Sequence, residues 1–271
     1  MKKIISLAVL LFSVATYAQE HQLKKIWETD TIIAIPESVL PANGILYVSL
    51  IDGGGWDADG KGGVARLGLD GKILDPLWIT GLNAPKGLGI AGNRLYIADI
   101  TEVVVVDIAN NKIEKKIAID SAKNLNDITV TDKGVVYVSD SRTGRVWRLE
   151  NDKPQLYLEN MKGVNGLKAV DNELFIASGK DFVKADAQKN IKPVVTLPQG
   201  GDGVEPVGSG DFLVTAWAGY FFYVHADGRI ETLLDTHLEK KNTADIGYDP
   251  VKKIVYIPSF NGKTVAAYEL K

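Results

Sequence analysis

Short apolar segments of four residues recur along the chain at regular spacing. They lie at residues 46–49, 95–98, 136–139, 174–177, 212–215 and 255–258, and their central aromatic or leucine residues follow one another at steps of 49, 41, 38, 38 and 43 residues. Residues suited to tight hairpins precede several of them, as in Ala42-Asn43-Gly44 and Val170-Asp171-Asn172. No segment after residue 18 has sustained helical periodicity, so the pattern predicts an all-β chain.

The length of the repeat predicts the architecture. A period near forty residues with four short strands per unit is typical of one blade of a β-propeller. Six repeats therefore predict a six-bladed β-propeller of four-stranded blades over residues 19–271. The last repeat lacks an outer strand, and the strand-like segment at residues 23–31 is predicted to supply it and close the ring.

The first residues have the organisation of a secretory signal peptide. Lys2 and Lys3 precede an apolar run over residues 4–14, and Ala18 offers a cleavage site before the polar Gln19. The sequence predicts a signal peptide over residues 1–18 and a protein exported to the periplasm or out of the cell. No second apolar run follows, so no membrane span is expected.

The composition excludes thiol-based sites and argues against one class of partner. The chain contains no cysteine, which excludes disulfides and thiolate metal sites. Without the two lysines of the signal peptide it carries 29 Lys and Arg against 34 Asp and Glu, a net charge near −5. Because an acidic surface repels phosphate groups, nucleic acid is not an expected partner.

Polar residues recur at the start of the predicted innermost strands, which line the channel of a propeller. Alternation of side chains along a strand predicts that these residues point into the channel. The simpler interpretation is that Asn and Asp beside Gly are turn residues. Counting back two residues from the first apolar position gives one residue per blade: Glu37, Lys86, Asn126, Asn165, Asp202 and Ala244.

With these residues the chain resembles the family of senescence marker protein, gluconolactonase and luciferin-regenerating enzyme, six-bladed propellers with a divalent metal in the channel. The repeat matches essentially the whole chain after residue 18, and the motif match is confined to Pro36-Glu37-Ser38, Leu125-Asn126-Asp127, Val164-Asn165-Gly166-Leu167 and Gly201-Asp202-Gly203-Val204. The resemblance implies that Glu37, Asn126, Asn165 and Asp202 hold a metal. Oxygen ligands of this kind suit calcium or magnesium.

The resemblance further implies hydrolysis of a lactone or related small ester, with Asp202 as general base. Lys86 is not part of the family pattern, and its charge predicts that it steers or stabilises negative charge in the channel. The chain departs from the family pattern in lacking Gly-Pro after Glu37 and in placing Asp127-Ile128-Thr129 after Asn126. It also places Lys86 in the ring, where an ammonium group could neutralise Glu37 and Asp202 and replace the cation.

The alternative is a non-catalytic propeller, similar to repeats of the NHL type, that binds a protein, peptide or glycan through its loop face.

A Gly-rich insertion at residues 51–63 is predicted to be a flap over one mouth of the channel, with Trp56, Trp217 and Tyr220 forming an apolar wall for a bound ring. The three histidines, at positions 21, 225 and 237, are far apart in sequence, which argues against a histidine-based metal site.

Overall fold

The computed structural model describes residues 20–31 and 34–271. The predicted signal peptide at residues 1–18 lies outside this range. The described residues form six antiparallel sheets of four strands each, arranged as a six-bladed β-propeller, which confirms the predicted fold.

Each of the first five blades is a run of four consecutive strands, counted from the channel outward. Blade 1 contains β2 (Ile35–Ala42), β3 (Ile45–Ile51), β4 (Gly62–Gly68) and β5 (Ile73–Leu82). Blade 2 contains β6 (Pro85–Ala91), β7 (Arg94–Asp99), β8 (Glu102–Asp107) and β9 (Lys112–Ala118). Blade 3 contains β10 (Leu125–Val130), β11 (Val136–Asp140), β12 (Arg145–Glu150) and β13 (Lys153–Leu158). Blade 4 contains β14 (Val164–Val170), β15 (Glu173–Ser178), β16 (Asp181–Ala185) and β17 (Ile191–Thr196). Blade 5 contains β18 (Val204–Gly208), β19 (Asp211–Ala216), β20 (Tyr220–Val224) and β21 (Ile230–Asp235).

Blade 6 joins the two ends of the described chain. Its strands are β22 (Gly247–Asp249), β23 (Ile254–Ser259), β24 (Thr264–Leu270) and, outermost, β1 (Leu23–Glu28). β1 pairs antiparallel with β24, as the sequence predicts. Beyond the strands, the amides of Gln22 and Lys271 each donate to the carbonyl of the other over 2.9 Å. A 3-10 turn at His237–Glu239 connects blades 5 and 6.

Trp27 ties the closing strand to blade 1. Its indole Nε1 donates to the carbonyl of Leu69 over 3.0 Å. Its ring covers Gly71 so closely that a Cβ added there would lie 2.7 Å from the indole Cε3. The closing strand therefore contacts both the last blade and the first.

The hydrophobic core is divided among the spaces between blades. Six clusters of buried apolar residues occur among the described residues, one between each pair of neighbouring blades. Each sheet therefore buries both of its faces, which explains the unbroken apolar run of β8 at residues 103–106. Within residues 20–31 and 34–271, no helix has the length and apolar character needed to cross a membrane.

Candidate functional site in the channel

The innermost strands begin with a β-bulge. In β2 the pairing with β3 shifts by one residue between Pro36 and Val39, and β6, β10 and β14 show equivalent shifts. In blade 5, Thr215 lies opposite both Asp202 and Gly203, with hydrogen bonds of 2.7 and 3.0 Å. A bulge places two consecutive residues opposite one. The expectation of unbroken alternation at these positions is therefore wrong, and the bulge determines where the side chains lie.

Hydroxyl groups on the second strand stabilise the bulges of blades 1, 3 and 5. In each case the hydroxyl accepts from the backbone amide that follows the ring residue, and this amide would otherwise be left without a partner in the ladder. The three acceptor and donor pairs are Ser49 with Ser38 at 2.9 Å, Ser139 with Asp127 at 2.9 Å, and Thr215 with Gly203 at 2.8 Å. Three of the four predicted metal ligands directly precede these amides.

Glycine follows the ring residue where neighbouring blades approach most closely. A Cβ at Gly166 would lie 1.8 Å from the carbonyl oxygen of Asp202, and one at Gly87 would lie 2.5 Å from the amide nitrogen of Ile128. Only a residue without a side chain fits at these separations. Gly166 therefore allows β14 to place Asn165 directly beside Asp202.

Asn165 and Asp202 form the one direct side-chain hydrogen bond between predicted metal ligands in the described residues. The Nδ2 of Asn165 donates to Oδ1 of Asp202 over 2.9 Å. This contact leaves Oδ1 of Asn165 buried without a hydrogen-bond donor, and Oε2 of Glu37 is buried in the same condition. Buried acceptors without a donor cost free energy, and a cation can satisfy them.

Asn126 is oriented by a neighbouring hydroxyl. Its Nδ2 donates to Oγ of Ser141 over 3.0 Å, and that hydroxyl donates to the carbonyl of Val164 over 2.7 Å. The amide oxygen of Asn126 is therefore turned away from Ser141. The hydroxyl also links Asn126 to the residue before Asn165, so blades 3 and 4 position their two amides together.

The carboxylates of the ring lie where negative charge is disfavoured. Burial raises the pKa of Glu37 to about 7, against a lowering by the Lys86 ammonium and a further rise from the charge of Asp245. Burial also raises the pKa of Asp202 well above its usual value, with repulsion from Glu37 and Asp245 adding to the effect. An added positive charge between Glu37 and Asp202 would stabilise both ionised forms.

Lys86 is buried, with 3% of its surface exposed. Among the described residues no carboxylate oxygen lies within 4.0 Å of its nitrogen. Burial lowers the pKa of Lys86, while the charges of Glu37, Asp202 and Asp99 oppose that shift. The ammonium lies 4.0 Å from the centre of the Trp56 ring, a cation–π contact. Lys86 therefore influences the carboxylates electrostatically without bridging them.

The Trp56 contact brings the Gly-rich insertion of blade 1 to the channel mouth, as predicted for a flap. Trp56 remains 40% exposed, so its other face is open to solvent. The predicted partners Trp217 and Tyr220 lie elsewhere. Trp217 packs edge-on against Phe260 at 5.7 Å and Tyr220 stacks on His237 at 5.1 Å. Within the described residues neither has an aromatic contact with Trp56, so the predicted three-residue wall is not formed.

A second group of charged residues, which was not predicted from the sequence pattern, lies beside the ring. Lys168 and Glu205 form an ion pair of 2.6 Å between blades 4 and 5. Asp245 accepts from the hydroxyl of Ser38 over 2.5 Å, linking blades 6 and 1. Asp127 accepts from the backbone amide of Leu167 over 2.6 Å, linking blades 3 and 4. The sequence signal that could have found the ion pair is its spacing, three residues after Asn165 and Asp202 respectively.

Two histidines that are far apart in sequence come together on the outer part of blade 5. His21 and His225 have ring centroids 5.5 Å apart and both contact Glu231. The long sequence separations that argue against a histidine-based metal site therefore do not keep His21 and His225 apart in space. Sequence separation is a poor guide here because ring closure brings the N-terminal segment beside blade 5.

No protein-family model and no curated protein matches the chain. Solved structures do match. A catalytically inactive variant of virginiamycin B lyase from Staphylococcus aureus with quinupristin has 13% identity and a TM-score of 0.65, covering 92% of this chain and 99% of that one. Luciferin-regenerating enzyme has 12% identity and a TM-score of 0.64, covering 92% and 95%. A protein of unknown function from Bacteroides thetaiotaomicron has 14% identity and a TM-score of 0.70, covering 94% and 77%. At these identities the matches establish the shared propeller fold.

Proposed function

We propose that the channel mouth binds a calcium or magnesium ion through Glu37, Asn126, Asn165 and Asp202, and that the protein hydrolyses a lactone or related small ester there. The observation that carries this proposal is the pair of buried acceptor atoms without donors, Oε2 of Glu37 and Oδ1 of Asn165, beside the carboxylate of Asp202. The four side chains offer only oxygen to an ion, which favours a hard cation.

A bound divalent ion would supply Lewis-acid polarisation of the ester carbonyl. The rest of the chemistry belongs to the chain. Asn165 holds Oδ1 of Asp202, leaving Oδ2 to take a proton from water as the water oxygen attacks the carbonyl carbon. The same proton then passes from Asp202 to the leaving oxygen of the lactone as the bond between that oxygen and the carbonyl carbon breaks, giving a hydroxy acid.

Lys86 and Trp56 would act on the substrate and product. The ammonium of Lys86 is buried near the carboxylates and can attract the negative charge that develops on the carbonyl oxygen. The ring of Trp56 covers this ammonium and can limit the access of water from the flap side. A small polar ligand would therefore lie between the flap and the ring.

Exposed aromatic residues support a second candidate, a non-catalytic loop face that binds a protein, peptide or glycan. Trp56 and Trp217 are 40% and 47% exposed, and both lie in connections between the second and third strands of their blades. Such connections lie on the same face of the propeller. Exposed tryptophans are common at binding surfaces.

Calorimetric titration of chelator-treated protein with calcium and with magnesium tests the first proposal. We expect one ion per chain, with affinity at least tenfold weaker in Asp202→Asn. Asp107→Asn is the matched control, because it removes one carboxylate from the surface, where Asp107 bonds to Asn93 and Asn110. An ion that binds should also support proton release from a panel of lactones. Absence of binding in the parent protein would refute the metal-dependent mechanism and leave the loop-face function.

A further inference from the structure

The N-terminal segment carries a cluster of metal-binding side chains onto blade 5, remote from the channel ring. Nδ1 of His21 and Nε2 of His225 each lie 2.7 Å from Oε1 of Glu231. The carboxylate of Glu20 completes the group. One potential ligand atom from each of the four residues lies within 4.8 Å of all the others.

Backbone contacts fix the segment that brings His21 to blade 5. Gln22 pairs with Lys271 at the end of blade 6. The backbone amides of Glu20 and His21 donate to Oε2 of Glu231 over 2.7 and 3.1 Å. Glu231 therefore receives two backbone and two side-chain contacts, and the chain direction at His21 is set before any ligand binds.

The two imidazole rings are also held in position. The ring of His21 stacks on Tyr223 with 3.8 Å between centroids and 10° between planes. The hydroxyl of Tyr223 donates to Asp211 over 2.7 Å, which anchors that ring in turn. His225 follows β20 and its amide donates to the carbonyl of Arg229 over 2.9 Å, so it begins the hairpin that leads to Glu231. The stacking of His21 on Tyr223 and the backbone pairing of His225 therefore hold both imidazoles in position before an ion binds.

The separations suit a small tetrahedral ion. Ligands about 2.0–2.1 Å from zinc lie about 3.4 Å from one another. The atoms of this cluster are already within 4.8 Å, so small side-chain rotations would bring them to that spacing. The 2.7 Å contacts to Glu231 are hydrogen bonds that a bound ion would replace. Glu20 also pairs with Arg229 over 3.0 Å through Oε1, and its second oxygen is the one that would turn toward the ion.

We propose that His21, His225, Glu231 and Glu20 form a zinc site that fastens the N-terminal segment to blade 5. Two imidazoles with carboxylates are ligands of zinc, whereas calcium and magnesium prefer oxygen alone. The site is chemically different from the channel ring and contains none of its residues. Its role is to reinforce ring closure, because the same segment leads directly into β1.

The test uses the purified protein after removal of metal with a chelator. Competition with a chromophoric zinc chelator measures affinity and stoichiometry, and substitution with cobalt reports geometry through its visible absorption. We expect one zinc per chain, intense cobalt bands typical of tetrahedral coordination, and an apparent melting temperature that rises with zinc. His21→Gln and His225→Gln should each weaken zinc binding at least 100-fold.

His237→Gln is the matched control, because the imidazole of His237 contacts the carboxylate of Asp235 outside the cluster. It should bind zinc as the parent does. Asp202→Asn should also retain zinc, which separates this site from the proposed channel function. If His225→Gln does not fold, His21→Gln, at the end of the described chain, still decides the question. No zinc binding by the parent, or equal losses in His237→Gln and His21→Gln, would overturn the proposal and leave a hydrogen-bonded clasp without metal.

Discussion

The amide of Asn165 donates to the carboxylate of Asp202 over 2.9 Å and in doing so leaves its own buried oxygen without a donor. A hydrogen bond chosen for stability alone would not require this second, unsatisfied atom. The arrangement therefore favours a role of this pair in ion binding. Substitutions should distinguish that role from a role in the stability of the fold.

Replacing Asn165 with Leu should abolish divalent-ion binding and lower the free energy of unfolding by about 1–3 kcal/mol, because Oδ1 of the buried Asp202 loses its donor while the unpaired oxygen of Asn165 is removed. Calorimetry and urea unfolding of the metal-free protein measure the two effects. Asn242→Leu is the control, since Asn242 also has a buried unpaired Oδ1 and donates with Nδ2 to the carbonyl of Trp217. A large loss of stability with intact ion binding would show that Asn165 is structural.

Replacing Lys86 with Met should strengthen binding of a divalent ion roughly tenfold, because it removes a neighbouring positive charge from Glu37 and Asp202 and keeps an apolar contact with Trp56. Product release or anion binding in the channel should become correspondingly less dependent on salt. Lys184→Met, in which another ammonium near an aromatic ring is removed from a surface pair with Glu173, should leave both unchanged. Loss of ion binding in Lys86→Met would contradict this assignment.

The stability of the metal-free protein should fall as pH rises from about 4 to 6. Burial raises the pKa of Asp245 to about 6, a shift that its hydrogen bond from Ser38 only partly offsets. The folded state thus holds a proton that the unfolded state has already lost in this range, and stability decreases until the folded carboxyl ionises.

Asp245→Asn should remove that part of the slope, about 2 kcal/mol between pH 4 and 6. Urea unfolding across this range, with chelator present, gives the slope directly. Asp107→Asn should leave it unchanged, because hydrogen bonds from Asn110 lower the pKa of Asp107 and place its titration below the window. Parallel curves for the parent and Asp245→Asn would be the contrary result.

Two glycines with nearly the same backbone angle distinguish strain from packing. Gly71 has φ +85° and faces Trp27, whereas Gly228 has φ +88° and open space around it. Gly228→Ala should cost about 1 kcal/mol from the left-handed backbone alone. Gly71→Ala should cost at least about 2 kcal/mol, because the added methyl group also displaces Trp27 from the ring closure. If urea unfolding gave the same loss of free energy for Gly71→Ala and Gly228→Ala, the packing of Trp27 would not depend on its close contact with Gly71.

The parts of the fold that follow local periodicity could be predicted from the sequence. Repeated apolar strands and their turns gave the six blades, and β1 was expected to complete blade 6 because the last repeat lacks an outer strand. The bulges were not predictable in the same way. They depend on hydroxyls such as Ser49 and Thr215, which are contributed by a different strand from the one that bends.

Side-chain relationships across blades were harder to anticipate. The ring positions emerged from comparing repeats. The same comparison places Lys168 and Glu205 three residues after Asn165 and Asp202, a regular spacing that marks both positions, although the ion pair itself is a contact between two blades. His21 and Glu231 are a still stronger case, since only the closed ring brings the segment before β1 to blade 5. Their proximity follows from tertiary geometry rather than from any motif.

The pairing of β1 with β24 imposes an order of events during synthesis. β1 leaves the ribosome before every other described strand, yet its partner is the last to emerge, so β1 must wait unpaired while five blades are made. Contacts this distant in sequence close slowly. Lys24 and Lys25 keep the waiting strand charged and exposed, which discourages it from pairing with a neighbouring chain. A ribosome-bound chain truncated before residue 264 should therefore resemble an open arc of blades, and the ring closes only when β24 becomes available to pair with β1.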